Sequence, residues 1–320
     1  MTARSSERAR VDLLARVFGT DGSGRTMLGI GDDAAVITPG SQPLVWTVDA
    51  QVEGVHFRRD LVSMADLGYR ATMAAASDLA AMGASPLGML AGLVLPEDVS
   101  DDDLRAIAEG QHEAAQEVGT HIIGGNLARG RELSITTTVL GETPRPLGRS
   151  GAKPGEVVAI AGPLGLSAAG LVLIERGREG EADAAPAVRA YRRPVARIAA
   201  GLAARDVASA AIDVSDGLAR DVGHLARASG VRIALDPTAL VRPALAKAAT
   251  LAGADPLALA LHGGEDYAVV ITVPEDRLPE KEFERIGRVL PAEPGARLVT
   301  LEQPDGTLVP IDERGYDHFG

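Results

Sequence analysis

Apolar positions in this chain switch between helical and strand spacing. Val11, Leu14, Val17 and Phe18 recur at intervals of three and four, which predicts a short amphipathic helix at the start. Residues 43–49 (PLVWTVD) predict a strand that ends on an acid, and residues 65–83 (ADLGYRATMAAASDLAAMG) a helix rich in alanine and methionine, closed by Gly83. Residues 88–95 (GMLAGLVL) are apolar and bounded by prolines, as a buried strand would be. A helix is expected from Ser100, an N-cap ahead of three aspartates, to Val118. Ile122-Ile123-Gly124-Gly125 then leads into a strand rich in β-branched residues at 133–141 (LSITTTVLG).

Proline, glycine and basic residues gather at 143–155 (TPRPLGRSGAKPG), the best candidate for a domain boundary. The chain is accordingly expected to divide into 1–145 and 146–320. Beyond the boundary the pattern predicts a strand at 157–161, helices at 167–176, 187–208 and 216–229 (the last ended by Gly230) and a strand at 231–235. Another helix, a strand at 268–273 and a β-rich end with a Pro304-Asp305-Gly306 turn follow. The polar segment 176–186 (RGREGEADAAP) reads as a mobile surface loop.

Composition narrows the class of function. With 320 residues and 46% hydrophobic content, the chain is long enough for two well-buried cores and is not disordered in character. No apolar stretch is long enough to span a bilayer, and the opening residues are too polar for a secretory signal, with Glu7 and Asp12 against a transit peptide. A net charge of −12 disfavours nucleic-acid binding but admits a small phosphorylated ligand if metal ions reverse the local sign. Zero cysteine excludes disulfides, thiolate catalysis and cysteine-ligated metal, and fits the cytoplasm.

Three turns set acids beside glycine where a strand stops or a helix starts: Gly29-Ile30-Gly31-Asp32-Asp33-Ala34, Asp213-Val214-Ser215-Asp216-Gly217 and Gly263-Gly264-Glu265-Asp266-Tyr267. Glycine lets a ligand approach the backbone, and several acidic turns in one protein suggest Mg²⁺ with a polyphosphate. The first turn fits the dinucleotide pattern G-x-G-x-x-A only on paper. A bare pyrophosphate there would face Asp32 and Asp33, and two like charges at ~4 Å repel by about 4 kcal/mol at an effective dielectric of 20. No P-loop or protein-kinase signature occurs. Gly165-Leu166-Ser167-Ala168-Ala169 lacks a histidine partner for a nucleophile elbow, so Ser167 is expected to N-cap a helix. Asp216 or Ser215 could equally cap a helix, but three acceptors crowd four positions where capping needs one. Asp78 interrupts an alanine-rich apolar run, and Asp49 ends a strand; each either reaches a site or sits at an edge. His56 could be a satisfied structural histidine, and Arg149 an exposed charge. The terminal Gly315-Tyr316-Asp317-His318-Phe319 is aromatic for this chain and is expected to dock back onto the body.

In combination these motifs resemble the thiamine-monophosphate kinases of the aminoimidazole ribonucleotide synthetase superfamily. The resemblance runs nearly end to end, through GIGDDAAV, Asp49 with EGVHF, SDLAAMGA, Gly124-Gly125, RSGAKPGE, IDVSDGL, GGEDY and GYDHF. It implies a two-domain fold: an N-terminal ATP- and Mg²⁺-binding α/β domain whose strands form a dimeric β-barrel, and a C-terminal α+β domain that closes the active-site cleft. It also implies direct transfer of the γ-phosphoryl of ATP to the phosphate of thiamine monophosphate by a homodimer. The attacking phosphate oxygen is already ionised, so no general base or nucleophile is needed, and catalysis reduces to positioning and charge neutralisation.

Carried over by motif, the resemblance implies that Asp33, Asp49, Asp78, Asp213 and Asp216 bind several Mg²⁺ ions, with Thr47 and the Val48 backbone nearby. Gly125, Asn126, Arg149 and Ser215 match ATP-contacting positions. His56, Glu265 and Tyr316 match positions that hold thiamine monophosphate, Tyr316 being suited to stack on the cationic thiazolium. Asp32 and Asp266 receive no role. One departure stands out. The family usually reads Gly-Gly-Asp-Thr-Thr-Arg-Gly, whereas this chain reads Gly-Gly-Asn126-Leu127-Ala128-Arg129-Gly130, which keeps an oxygen donor but removes a charge from a Mg²⁺ site. Another ATP-dependent enzyme of the superfamily, or a nucleotide-binding regulator with weakened turnover, are the alternative readings.

Overall fold

A computed structural model describes residues 6–20, 24–30 and 34–315. The chain divides into two compact units, Met1–Leu79 with Ser85–Pro144, and Ala80–Ala84 with Arg145–Gly320.

The first unit contains, in chain order, α1 (Glu7–Phe18), β1 (Thr26–Leu28), β2 (Val36–Ile37), β3 (Leu44–Val52), α2 (Met64–Ala81), β4 (Ser85–Leu95), α3 (Asp101–Glu117), β5 (Ile122–Arg129) and β6 (Ser134–Glu142). Its main sheet has the order β3-β6-β4-β5, antiparallel except for the β4–β5 pair. One face is buried through Met89, Ala91 and Leu93 of β4 and Ile135, Thr137 and Val139 of β6. The α2 helix lies on that face, with Leu79 packed against Gly141. The other face leaves Leu44, Trp46 and Val48 of the edge strand β3 exposed, at 56%, 73% and 62%. β1 and β2 form a separate two-stranded sheet, and no sheet closes into a barrel among the described residues.

In α1 the structure buries Leu13 and Phe18, while Val11 turns to solvent. Ser100 caps α3 as expected, in a reciprocal capping box with Asp103.

The second unit contains β7 (Val157–Ala161), α4 (Leu166–Glu175), α5 (Ala185–Arg192), α6 (Ile198–Ala204), β8 (Ala210–Asp213), α7 (Leu218–Ser229), β9 (Arg232–Leu235), α8 (Pro237–Leu240), α9 (Pro243–Ala252), α10 (Pro256–His262), β10 (Val269–Val273), β11 (Glu284–Leu290), β12 (Val299–Glu302) and β13 (Leu308–Pro310). Seven strands form one sheet in the order β13-β12-β9-β11-β7-β10-β8, in which only β12–β9 is parallel. Val158 and Ile160 of β7, Ile212 of β8, Ile233 of β9, Val270 of β10 and Leu225 of α7 belong to its core.

Three expectations change here. The single helix expected at 187–208 is two, because Pro194 forces Arg193 out of the helical region (φ −137°, ψ 69°). The segment 176–186 is tied down rather than loose. The guanidinium groups of Arg176 and Arg178 donate to the carbonyls of Ala252 and Leu251, at the C-terminal end of α9, where orphan carbonyls and the helix dipole favour a cation. Ser167 is not the N-cap of α4. That place falls to Gly165 in the left-handed region (φ 67°), without a side-chain cap of its own.

Among the described residues, no single helix is long and apolar enough to cross a membrane.

Candidate active site

In the first unit, β3 presents Thr47 and Asp49 toward the α2 side of the sheet. The Thr47 hydroxyl donates to Asp78 Oδ2. From Leu67 to Ala81, Asp78 is the one residue of α2 that is only half-buried, so its carboxylate is the polar opening in an otherwise closed stretch of helix. Asp49 Oδ1 accepts the Ala50 N–H at 2.7 Å, and the Thr47 carbonyl accepts from Thr138 at 3.1 Å.

The register across the four strands threads Asp49, Thr137, Ala91 and Gly125 into one row and Ala50, Thr136, Gly92 and Asn126 into the next. Side chains alternate faces along a strand, so Asn126 stands on the face opposite Thr47 and Asp49, the face that carries Trp46 and Val48. Thr137 is fully buried, and its hydroxyl has no hydrogen-bond partner among the described residues. A Cβ at Gly125 would collide with the Ala91 carbonyl, so only glycine fits there.

His56 follows β3 in a tight turn. The Val52 N–H donates to His56 Nδ1 at 3.1 Å, and the His56 N–H donates to the Val52 carbonyl at 2.9 Å. With Nδ1 engaged as an acceptor, the ring proton belongs on Nε2, which makes that edge a donor.

In the second unit, two of the acidic turns are joined to each other. The Glu265 and Tyr267 N–H groups donate to the carbonyls of Ser215 and Val214 at 2.8 and 2.9 Å, and the Val214 N–H donates to Ala268 at 2.8 Å. A Cβ at Gly264 would come within 2.7 Å of the Ser215 carbonyl, which explains the glycine at this close approach. Glu265 and Tyr267 take positive φ angles of 61° and 48°, rare for residues with side chains and held here by the facing turn. The pairing of β8 with β10 thus continues into the turns, and it brings Asp213, Ser215, Asp216 and Glu265 together. Arg149 approaches from the linker. Its carbonyl accepts from Ser229 at the end of α7 at 3.1 Å, and its side chain is exposed.

Each turn is anchored by a buried acid. Asp221, 3% exposed on α7, accepts the N–H groups of Ser215, Asp216 and Gly217 on one oxygen at 3.0, 3.1 and 3.1 Å. Asp266, also 3% exposed, accepts the Gly165 N–H at 2.5 Å and the Ser167 N–H at 3.1 Å, and so supplies from a distance the cap that α4 lacks locally. Burial pushes both carboxyls up to about 7. For Asp221 the Asp213 and Asp216 carboxylates add to this; for Asp266 the two N–H groups oppose it. Burial and the nearby guanidinium groups of Arg149, Arg227 and Arg220 hold His224, on the same helix, below the usual imidazole range.

The C-terminal segment docks beside this assembly. Arg227 pairs with Glu313 at 2.7 Å, and Gly315 packs against Arg220 and the Asp216 carbonyl. Tyr316 itself, like Asp32 and Asp33, lies outside the described residues.

Among the described residues, no three acidic or histidine side chains converge closely enough to hold a metal alone. The expected acids occur in smaller sets instead: Asp78 with Thr47 in the first unit, Asp213 with Asp216 in the second. These sets fit Mg²⁺. That ion demands hard oxygen donors, keeps several waters and is usually bound by one or two carboxylates together with substrate phosphates, rather than by an all-protein cage. The buried Thr137 hydroxyl, without a hydrogen-bond partner among the described residues, is a further polar group on the sheet face of Thr47 and Asp49.

Two residues of the assembly escape sequence reasoning. Asp221 falls on the face of α7 defined by the buried Leu218, Val222 and Leu225, and an acid at core spacing is the signal that identifies it. Asp266 carries no such signal, because its partners lie about a hundred residues away.

Known proteins align with this chain over most of its length. Residues 31–143 match the AIR synthase related protein N-terminal domain and residues 153–297 its C-terminal domain. A thiamine-monophosphate kinase of Salmonella typhimurium is 39% identical over 96% of this chain and 97% of its own length. A solved structure of AaThiL complexed with AMPPCP and TMP superposes with a TM-score of 0.80 at 32% identity, over 100% of both chains. The thiamine-monophosphate kinase of Stenotrophomonas maltophilia K279a superposes with a TM-score of 0.78 at 32% identity, over 92% of this chain and 95% of its own. By descent and by fold, the chain belongs to the thiamine-monophosphate kinase family, built from the two AIR synthase related domains.

Proposed function

We propose that this protein transfers the γ-phosphoryl group of ATP directly to a phosphate oxygen of thiamine monophosphate, giving thiamine diphosphate and ADP. The bond from the γ-phosphorus to the β-bridging oxygen breaks as the bond to the acceptor oxygen forms, and ADP leaves with the electron pair. The observation that carries this reading is the joined pair of turns, which holds the Asp213 and Asp216 carboxylates and Ser215 beside Glu265, an acid-rich set suited to Mg²⁺ and phosphate. Phosphoryl transfer to an anionic acceptor needs positioning and charge neutralisation rather than proton abstraction.

Roles divide by unit. In the first, Thr47, Asp49, Asp78 and the Val48 carbonyl hold Mg²⁺, together with Asp33. Gly125 and Asn126 contact the nucleotide, and His56 offers its Nε2 proton to the substrate. In the second, Asp213 and Asp216 hold Mg²⁺, Ser215 and Arg149 contact the nucleotide, and Glu265 and Tyr316 hold the thiamine moiety. Bound Mg²⁺ would neutralise the phosphate charge that develops during transfer.

A homodimer is part of this proposal. Leu44, Trp46 and Val48 form an apolar row on an edge strand, an aggregation liability unless another surface covers it. A second copy of the same sheet would do so, as the family's dimeric barrel requires. A cytoplasmic location is part of the same reading, supported by the use of ATP and by a chain without cysteine.

The test is a coupled assay with thiamine, thiamine monophosphate and aminoimidazole precursors side by side. ADP release that requires thiamine monophosphate is the expected result; release with an aminoimidazole substrate alone would overturn it. Asn126 keeps one second reading in view, a nucleotide-binding regulator, for which ATP would bind without turnover.

A further inference from the structure

The turn that opens α7 presents three consecutive backbone N–H groups, from Ser215, Asp216 and Gly217, at the positive end of a helix of 12 residues. In phosphate-binding loops such a nest cradles the anion itself. Here it is filled from within, since one oxygen of the buried Asp221 accepts all three N–H groups at 3.0–3.1 Å. No side chain of the turn caps the helix. The backbone N–H groups of this turn are therefore committed to Asp221, and phosphate is met here through side chains and the ions that Asp213 and Asp216 hold rather than through the nest. The two acids flank the nest: Asp213 ends β8, and the Asp216 amide is one of the three donors.

We propose that Asp221 is a positioning residue for phosphoryl transfer, its carboxylate gathering the Ser215–Gly217 amides and so fixing the spacing at which Asp213 and Asp216 present their oxygens to Mg²⁺. This rests on the kinase reading for its consequence in turnover, but the positioning itself is a property of the folded chain. Without Asp221 the three amides lose their common acceptor, the turn relaxes, and Asp216, left with its Arg220 ion pair at 3.6 Å, is no longer held at a fixed spacing from Asp213.

The experiment uses the full chain and the variants Asp221→Asn and Asp221→Ala. Orientation of metal ligands by outer-shell partners is typically worth 10–100-fold in metal affinity, so Asp221→Asn should raise the half-saturating Mg²⁺ concentration by about 10-fold, and Asp221→Ala by more. KM for thiamine monophosphate should stay unchanged. The same order should appear without turnover, in the Mg²⁺ concentration at which a non-hydrolysable ATP analogue raises Tm. A variant that loses Tm yet keeps the wild-type Mg²⁺ requirement would overturn the proposal and leave Asp221 merely structural. If neither variant folds, hydrogen exchange on the metal-free wild type decides. The Ser215, Asp216 and Gly217 amides should exchange slowly, and exchange at the rate of exposed loops would overturn it. Failure of the wild type to phosphorylate thiamine monophosphate would remove the kinase reading alone, because the Tm titration would still report on Asp221.

Discussion

Asp266 accepts the Gly165 N–H at 2.5 Å across about a hundred residues of sequence, so the third acidic turn and the start of α4 are one structural unit. The bond satisfies an orphan donor at a helix end and pins the turn in which Glu265 and Tyr267 hold positive φ angles. An Asp266→Asn variant keeps one acceptor oxygen and turns an amide NH₂, itself a donor, toward the second N–H. It should lose about 1–3 kcal/mol of stability, the usual cost of a buried polar group left unsatisfied, measured by urea unfolding at pH 5, where the wild-type carboxyl holds its proton. No measurable loss would show that the two N–H groups find other partners.

The same carboxyl gives the protein a pH signature. In the folded state burial raises Asp266 to about 7, above its ordinary value of 3.8. The folded form therefore binds the proton more tightly than the unfolded form. The stability this confers is full below about pH 4 and is lost as pH rises through 7, at about 1.4 kcal/mol for each unit of separation. Between pH 5 and 8 the wild type should lose more stability than Asp266→Asn, which has no proton to release there. Parallel pH profiles for the two proteins would refute the assignment.

Trp46, at 73% exposure, is the largest apolar group on the open face of the first sheet. Replacing it with glutamate puts a charge in the centre of the proposed dimer contact, where desolvating an unpaired carboxylate is unfavourable. Trp46→Glu should elute as a monomer in size-exclusion chromatography with light scattering, under conditions where the wild type is a dimer. A wild-type monomer, or a Trp46→Glu dimer, would remove this face from the assembly.

How much of this was legible in the sequence depended on the range of the interaction. The capping box at Ser100 and Asp103, the Gly230 stop of α7 and the strand 157–161 are local and were readable from neighbouring residues. The break at Pro194 was equally local, yet the alanine-rich periodicity on both sides masked it. The site's chemistry was readable as residue types, since glycine beside acid marks a turn with a purpose. Its assembly was not. Nothing in the spacing says that Glu265 and Tyr267 bond to the 214–215 backbone, or that Arg176 and Arg178 reach the end of α9 and hold a segment that looks mobile. Such contacts depend on strand order and register, which only the fold fixes. The sheet register likewise separates Asn126 from Thr47 and Asp49, residues that motif matching had grouped as one ligand set.

Asn126 offers the sharpest test of whether that separation matters. It is exposed on β5, in register with Gly92, Thr136 and Ala50, none of which is bulky or charged. Adding a carboxylate there should change stability by no more than about 0.5 kcal/mol, as for exposed positions generally. Asparagine offers a neutral oxygen where aspartate would offer a charged one, and Mg²⁺ strongly prefers the latter. If the position ligates metal during the reaction, Asn126→Asp should therefore lower the half-saturating Mg²⁺ concentration while Tm stays close to wild type. Steady-state rates across a Mg²⁺ titration at fixed ATP would measure it. An unchanged Mg²⁺ requirement would mean that this face of the sheet contacts the nucleotide without holding the ion. The metal would then belong to Thr47, Asp78 and the acidic turns alone.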